Sequence, residues 1–142
     1  MKKIFVLLLA VVLAGLLSAC GGAQETVLSG QEKEAVLAFS EAKTDTLMAA
    51  LKAGDYAAFT QDFDESMSKA MPQSGFETLK KDRDEKLGAY VSRQVSSVNQ
   101  SKSGKHVAVV YDAVFEKEQA VTMRVVFEAE EPHGVSGIWF SK

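Results

Sequence analysis

HVAVVYDAVFEKEQAVTMRVVFE, residues 106–128, holds two apolar alternations separated by a charged break. Val107, Val109, Tyr111, Ala113 and Phe115 take every second position of the first. Val121, Met123, Val125 and Phe127 take every second position of the second. A period of two puts each set on one face of a strand. The break, Lys117-Glu118-Gln119, is short, so the two strands are expected side by side and antiparallel. Working outward, Tyr90–Val98 reads as a preceding strand, joined through SKSGK (residues 101–105). Gly134–Phe140 reads as a following strand, joined through EEPHG (residues 130–134). In that last strand the alternation predicts Val135 and Trp139 on one face, with Ile138 and Phe140 on the other. The expected sheet is an antiparallel meander of about four strands.

Upstream the period changes. Gln31 to Ala53 contains no Gly or Pro and is dominated by Ala, Leu, Met, Glu and Lys, which predicts a helix. Val36, Phe39, Leu47, Ala50 and Leu51 fall on one face of it. Gly54 is placed to close this helix and Asp55 to cap a short second one over YAAFTQDF. Asp64 to Ala70 reads as helix or turn and ends at Pro72. Gln73 to Leu87 reads as a further helix that stops at Gly88. Helices first and a meander after them is the α+β pattern, with the helices covering one face of a curved sheet.

The other end of the chain reads as a targeting signal. LLLAVVLAGLLSACGG, residues 7–22, closes an apolar run on the single cysteine. The run from Ile4 to Leu17 has 14 residues, against about 20 needed to cross a bilayer as a helix. Lys2 and Lys3 precede it and the small residues Ser18 and Ala19 follow, the layout of a secretory signal peptide. Leu17-Ser18-Ala19-Cys20 resembles a bacterial lipobox. That resemblance implies cleavage after Ala19 and lipidation of Cys20, with palmitate or a similar acyl chain as membrane anchor. Gly21 is not the Asp that retains such proteins at an inner membrane, so an outer membrane is expected where the cell has two. The expected division is a signal peptide at 1–19, a lipidated Cys and flexible tether at 20–30, and one domain at 31–142. A ten-residue polar tether reaches about 18 Å. With no second cysteine, the domain rests on its core and holds no internal disulfide.

The sequence has 16 Lys and Arg and 19 Asp and Glu; without the leader's Lys2 and Lys3 the remaining charge is −5. An acidic domain is not steered to nucleic acid, and no basic patch with interleaved aromatics is present. Membrane contact is therefore assigned to the anchor.

AALKAGDYAAFTQDFDESM, residues 49–67, resembles the opening of the NTF2-like (cystatin-like) α+β superfamily. There a long helix ends at Gly-Asp, and a short Phe-bearing helix and an acidic turn follow. Leu47 to Phe140 is more closely similar to DUF3887, a family of unknown function. GDYAAF, DFD, KLGAY, VVYDAVFEKE, VTMRVVF and GIWF carry the similarity. It implies a cone-shaped α+β fold and brings no catalytic residues. The wider superfamily implies a small-molecule pocket, an occasional enzyme or an interaction module, and pairing of two copies through the sheet. Fold alone does not choose among them.

Local chemistry narrows the classes. His106 and His133 are far apart in sequence and make no metal-ligand spacing, so no metal is expected. There is no G-x-S-x-G nucleophile turn and no G-x-G-x-x-G or G-x-x-x-x-G-K phosphate loop, and no cofactor is expected. The superfamily resemblance implies, for its enzymes, a pocket Asp as base with a Tyr donor, a role that would fall to Asp62, Asp64 and Tyr111, with a buried carboxylate raised in pKa. Asp64 also fits a helix cap and Tyr111 a core aromatic. Lys43, between Phe39 and Leu47, and Arg83, between Leu79 and Leu87, interrupt apolar helix faces. An unpaired buried charge is costly. Each cation must reach water, pair with a nearby carboxylate, or face a wet cavity, where it would suit an anionic group. Phe59, Phe63, Phe76, Tyr90, Tyr111, Phe115 and Trp139 either line a pocket or fill the core. Three functions remain: an anchored binding or adaptor module acting on an envelope protein, a carrier or sensor of a small anionic amphiphile, and a pocket isomerase or dehydratase. The first is the preferred expectation.

Overall fold

Residues 30–53 carry apolar or small side chains at positions three and four apart, and that spacing makes one long helix with a buried stripe. The computed structural model describes residues 24–142. The leader and Cys20 lie outside the described residues. The order of elements is β1 (Glu25–Val27), α1 (Gly30–Ala53), α2 (Tyr56–Thr60), α3 (Glu65–Ala70), α4 (Gln73–Lys86), β2 (Tyr90–Ser101), β3 (His106–Phe115), β4 (Val121–Glu128) and β5 (Val135–Ser141).

Helix α1 buries Val36, Ser40, Thr44, Leu47, Met48, Ala50 and Leu51. It ends where Gly54 adopts φ +76°, a left-handed geometry that glycine enters without a Cβ clash. Asp55 then starts α2, its carboxylate accepting from the Ala58 amide at 3.0 Å. Asp64 does the same for α3, accepting from the Met67 amide at 2.6 Å. These caps fix two sharp changes of direction, and Pro72 opens α4 behind them.

The sheet is antiparallel throughout, in the order β1-β2-β3-β4-β5. Its inner face is the alternation read from the sequence: Val107, Val109, Tyr111, Ala113 and Phe115 on β3, and Val121, Met123, Val125 and Phe127 on β4, are all buried. Register shifts at Tyr90/Ser92 and Val95/Ser97 bend β2, as bulges do. The helices pack on this inner face. Phe39 of α1 meets Phe127 edge-on at 5.7 Å, and Phe59 of α2 meets Phe76 of α4 at 4.8 Å.

Two expectations are corrected. The sheet has five strands, because Glu25–Val27, expected inside the flexible tether, pairs with Asn99–Ser101 and lengthens β2 past Val98. Leu28 anchors that segment. It is buried, and its amide donates to the Val98 carbonyl at 2.8 Å. The second correction concerns β5. A register shift opposite Val126/Phe127 puts an extra residue, Ser136, between Val135 and Gly137. The shift moves Val135 onto the inner face with Ile138, and Trp139 faces outward, 54% exposed. Its indole lies across Gly137, where a Cβ would stand 2.0 Å from the ring.

Phe127→Ala is expected to cost about 3–5 kcal/mol in a denaturant melt. Trp139→Ala is expected to cost less than about 1 kcal/mol. Equal losses would contradict the outward placement of Trp139.

Candidate functional site

Helix α4 turns one face inward. Phe76 packs there against Phe59 and Tyr56, and Arg83, two turns later on the same face, is 3% exposed. Its Nη2 donates to Asp84, while Nε and Nη1 are buried with no hydrogen-bond partner. Asp84 is shared, since its other oxygen accepts from Lys80 at 2.5 Å. Burial pushes the Asp84 carboxyl up, but the hydrogen bonds from Lys80 and Arg83 outweigh it and hold the group below the usual carboxylate range. One carboxylate thus serves two cations.

Arg83 borders a cleft of about 440 Å³ between α4 and strands β4 and β5. Leu79, Leu87, Val121, Ile138, Trp139 and Phe140 give it apolar walls. That volume lies in the range of small-molecule sites, about 300–1,000 Å³. The other charges at the rim are paired: Lys86 with Asp82 at 3.7 Å, and Lys142 with Glu118 at 3.2 Å. The excess positive charge around the cleft therefore belongs to the Lys80–Asp84–Arg83 group.

A second, polar cleft of about 340 Å³ lies by the turn before α3, bordered by Lys43, Asp62, Phe63, Asp64, Glu128 and Pro132. Lys43 is paired there, donating to Asp62 and to the Pro132 carbonyl, both at 3.1 Å. Asp64 is occupied by the α3 cap and by the Ser136 hydroxyl at 2.6 Å.

The nine candidate pocket residues therefore separate. Arg83 and Trp139 share the apolar cleft, while Lys43, Phe63 and Asp64 share the polar one. Phe59, Tyr111 and Phe115 are core residues with 0–1% exposure. Tyr90 is half-buried and packs edge-on against Phe115 at 5.7 Å. Lys43 has taken a nearby carboxylate, the simpler of its expected fates. Arg83 has not reached water, and its single acidic partner leaves two nitrogens free. Among the described residues no group of three or more His, Cys, Asp or Glu side chains is placed to hold a metal ion. His133 stacks on Phe39 at 3.8 Å.

The sequence reading missed a clamp between α1 and the sheet. The buried Tyr111 hydroxyl donates to Glu41 at 2.6 Å and lies 3.2 Å from the Thr44 hydroxyl. Arg93 sits 5.0 Å over the Tyr111 ring and donates to Asp45 at 2.6 Å, to Glu41 and to Tyr90. Ser40 and Thr44, polar positions inside the apolar stripe of α1, were the available signal. A carboxylate is thus within reach of Tyr111. The phenol has no exposed surface through which a substrate could reach it.

A family model described as a protein of unknown function (DUF3887) matches residues 44–132. It spans Arg83 and the clamp partners Thr44, Arg93 and Tyr111, and stops before β5. No curated protein and no solved structure matches the chain.

Burial and the Glu41 carboxylate raise the Tyr111 pKa well above the usual tyrosine range. The folded state therefore favours the protonated phenol. Its stabilisation is complete below about pH 10, the unfolded value, and is lost as pH rises beyond it. Urea melts above pH 10 are expected to fall more steeply for the parent chain than for Tyr111→Phe. At neutral pH the variant is expected to lose about 1–2 kcal/mol. Parallel pH profiles would contradict the buried phenol.

Proposed function

The chain belongs to the DUF3887 family of proteins of unknown function, and we propose that it is a lipid-anchored, non-enzymatic binding module of the cell envelope that holds a small molecule between α4 and β5. The observation that carries this reading is the open apolar cleft of about 440 Å³ bordered by a buried, incompletely partnered arginine. Small-molecule sites combine mostly apolar walls with a few polar groups that orient the ligand. The anchor rests on the lipobox-like Leu17-Ser18-Ala19-Cys20 and places the domain outside the cytoplasm, at the outer membrane where there are two. The NTF2-like resemblance agrees with a pocket between helices and a curved sheet.

A second reading, an adaptor for an envelope protein, draws on Trp139, 54% exposed on the edge strand β5.

The test is fractionation of the native host followed by native mass spectrometry of the membrane-bound chain. The parent chain is expected in the envelope, labelled by palmitate and carrying a small co-purifying mass. Cys20→Ser is expected in the soluble fraction, unlabelled. Leu79→Trp, which fills the cleft, is expected to lose the small mass and keep its fold. Labelled palmitate in Cys20→Ser would contradict the anchor. The same bare mass for the parent and Leu79→Trp chains would contradict the occupied cleft.

A further inference from the structure

Resting on the cleft reading, we infer that the ligand is a single-chain amphiphile with an anionic oxygen head, seated at Arg83 with its tail along the cleft walls. Three observations lead there. Arg83 is 97% withdrawn from solvent, by its 3% exposure, yet Nε and Nη1 donate to nothing. Buried N–H groups are normally satisfied, because an unmade bond costs the desolvation of the donor. A cation makes that cost larger. The one acidic partner, Asp84, is divided between Arg83 and Lys80. An added anion therefore meets unbalanced positive charge.

The walls specify the rest of the ligand. Leu79, Leu87, Val121, Ile138 and Phe140 present no side-chain hydrogen-bonding group. A polar body would lose its hydration there without replacement, whereas an alkyl chain loses nothing it needs. A guanidinium matches a carboxylate or phosphate head through paired N–H donors. Head and tail requirements together exclude both a small inorganic anion and a neutral lipid as the preferred occupant. Nε and Nη1 carry no exposed surface, so this seating requires the Arg83 side chain to turn toward the head.

The full chain is reconstituted in phosphatidylcholine vesicles and its binding of octanoate, octyl phosphate, 1-octanol and acetate is measured by equilibrium dialysis against protein-free vesicles. Both octyl anions are expected to bind saturably, and octanoate at least about tenfold more tightly than 1-octanol. Acetate is expected to show no saturable binding. Arg83→Gln is expected to weaken octanoate by at least about tenfold and leave 1-octanol unchanged. Octyl phosphate outbinding octanoate would assign the head to a phosphate; the reverse would assign it to a carboxylate.

Equal binding of octanoate and 1-octanol, unmoved by Arg83→Gln, would overturn the anionic head while leaving the cleft reading in place. Acetate binding as tightly as octanoate would overturn the tail. No saturable binding of any probe would overturn this inference and the cleft reading together. Should Arg83→Gln fail to fold, the octanoate-to-octanol ratio on the unaltered chain decides the question.

Discussion

The Tyr111 hydroxyl has no route to water, so its bonding must be met by helix α1. Glu41 and Thr44, three residues apart on that helix, meet it together. Their geometry fixes the height and rotation of α1 above the sheet. Arg93 closes the arrangement from β2, lying over the phenol ring and tying Glu41 and Asp45 to the strand. Once α1 is fixed, the left-handed turn at Gly54 and the caps at Asp55 and Asp64 aim the shorter helices. Phe59 then receives Phe76, and α4 comes to rest with Arg83 beside the last two strands.

Arg83, buried, and Arg93, half-buried, differ in how their charge is met. Arg93 stands between two carboxylates and a phenol, and of its nitrogens Nε alone is left over. Its positive charge is more than balanced locally, and removing it would strand acidic groups. Arg83 has one shared carboxylate and two free nitrogens beside apolar walls. Burying a charge on those terms works against folding. Residues that lower stability where packing would prefer carbon concentrate at sites kept for binding.

Much of the fold was legible because it rests on local rules. The alternation on β3 and β4 gave the inner face residue by residue, and the Gly54-Asp55 pair marked the first helix boundary. Strand β1 was not legible. Three residues are too few for a period, and a polar segment follows the backbone edge it is offered. Val135 was grouped with Trp139 on one face, whereas one bulged residue, Ser136, reverses the alternation and turns Val135 inward, and no residue type announces it. At the site, Arg83 stood out as a cation on an apolar face. Its apolar surroundings did not, because Ile138 and Phe140 reach it from a strand more than fifty residues away in sequence. The Glu41–Tyr111 pair was hidden for the same reason. Glu41 looks like any solvated helix residue until the sheet is laid beneath it.

A cation kept for a ligand and not for the fold should be dispensable to folding, and Arg83 can be tested on that point. The direct measurement is the unfolding free energy of Arg83→Met in urea, at neutral pH and without added amphiphile. Methionine keeps the length of the side chain and removes the unsatisfied cation. Arg83→Met is expected to be as stable as the parent chain or more so, by about 1 kcal/mol or above. A loss of about 2 kcal/mol or more, with an unchanged dependence on urea, would make Arg83 a structural partner of Asp84 and contradict that expectation.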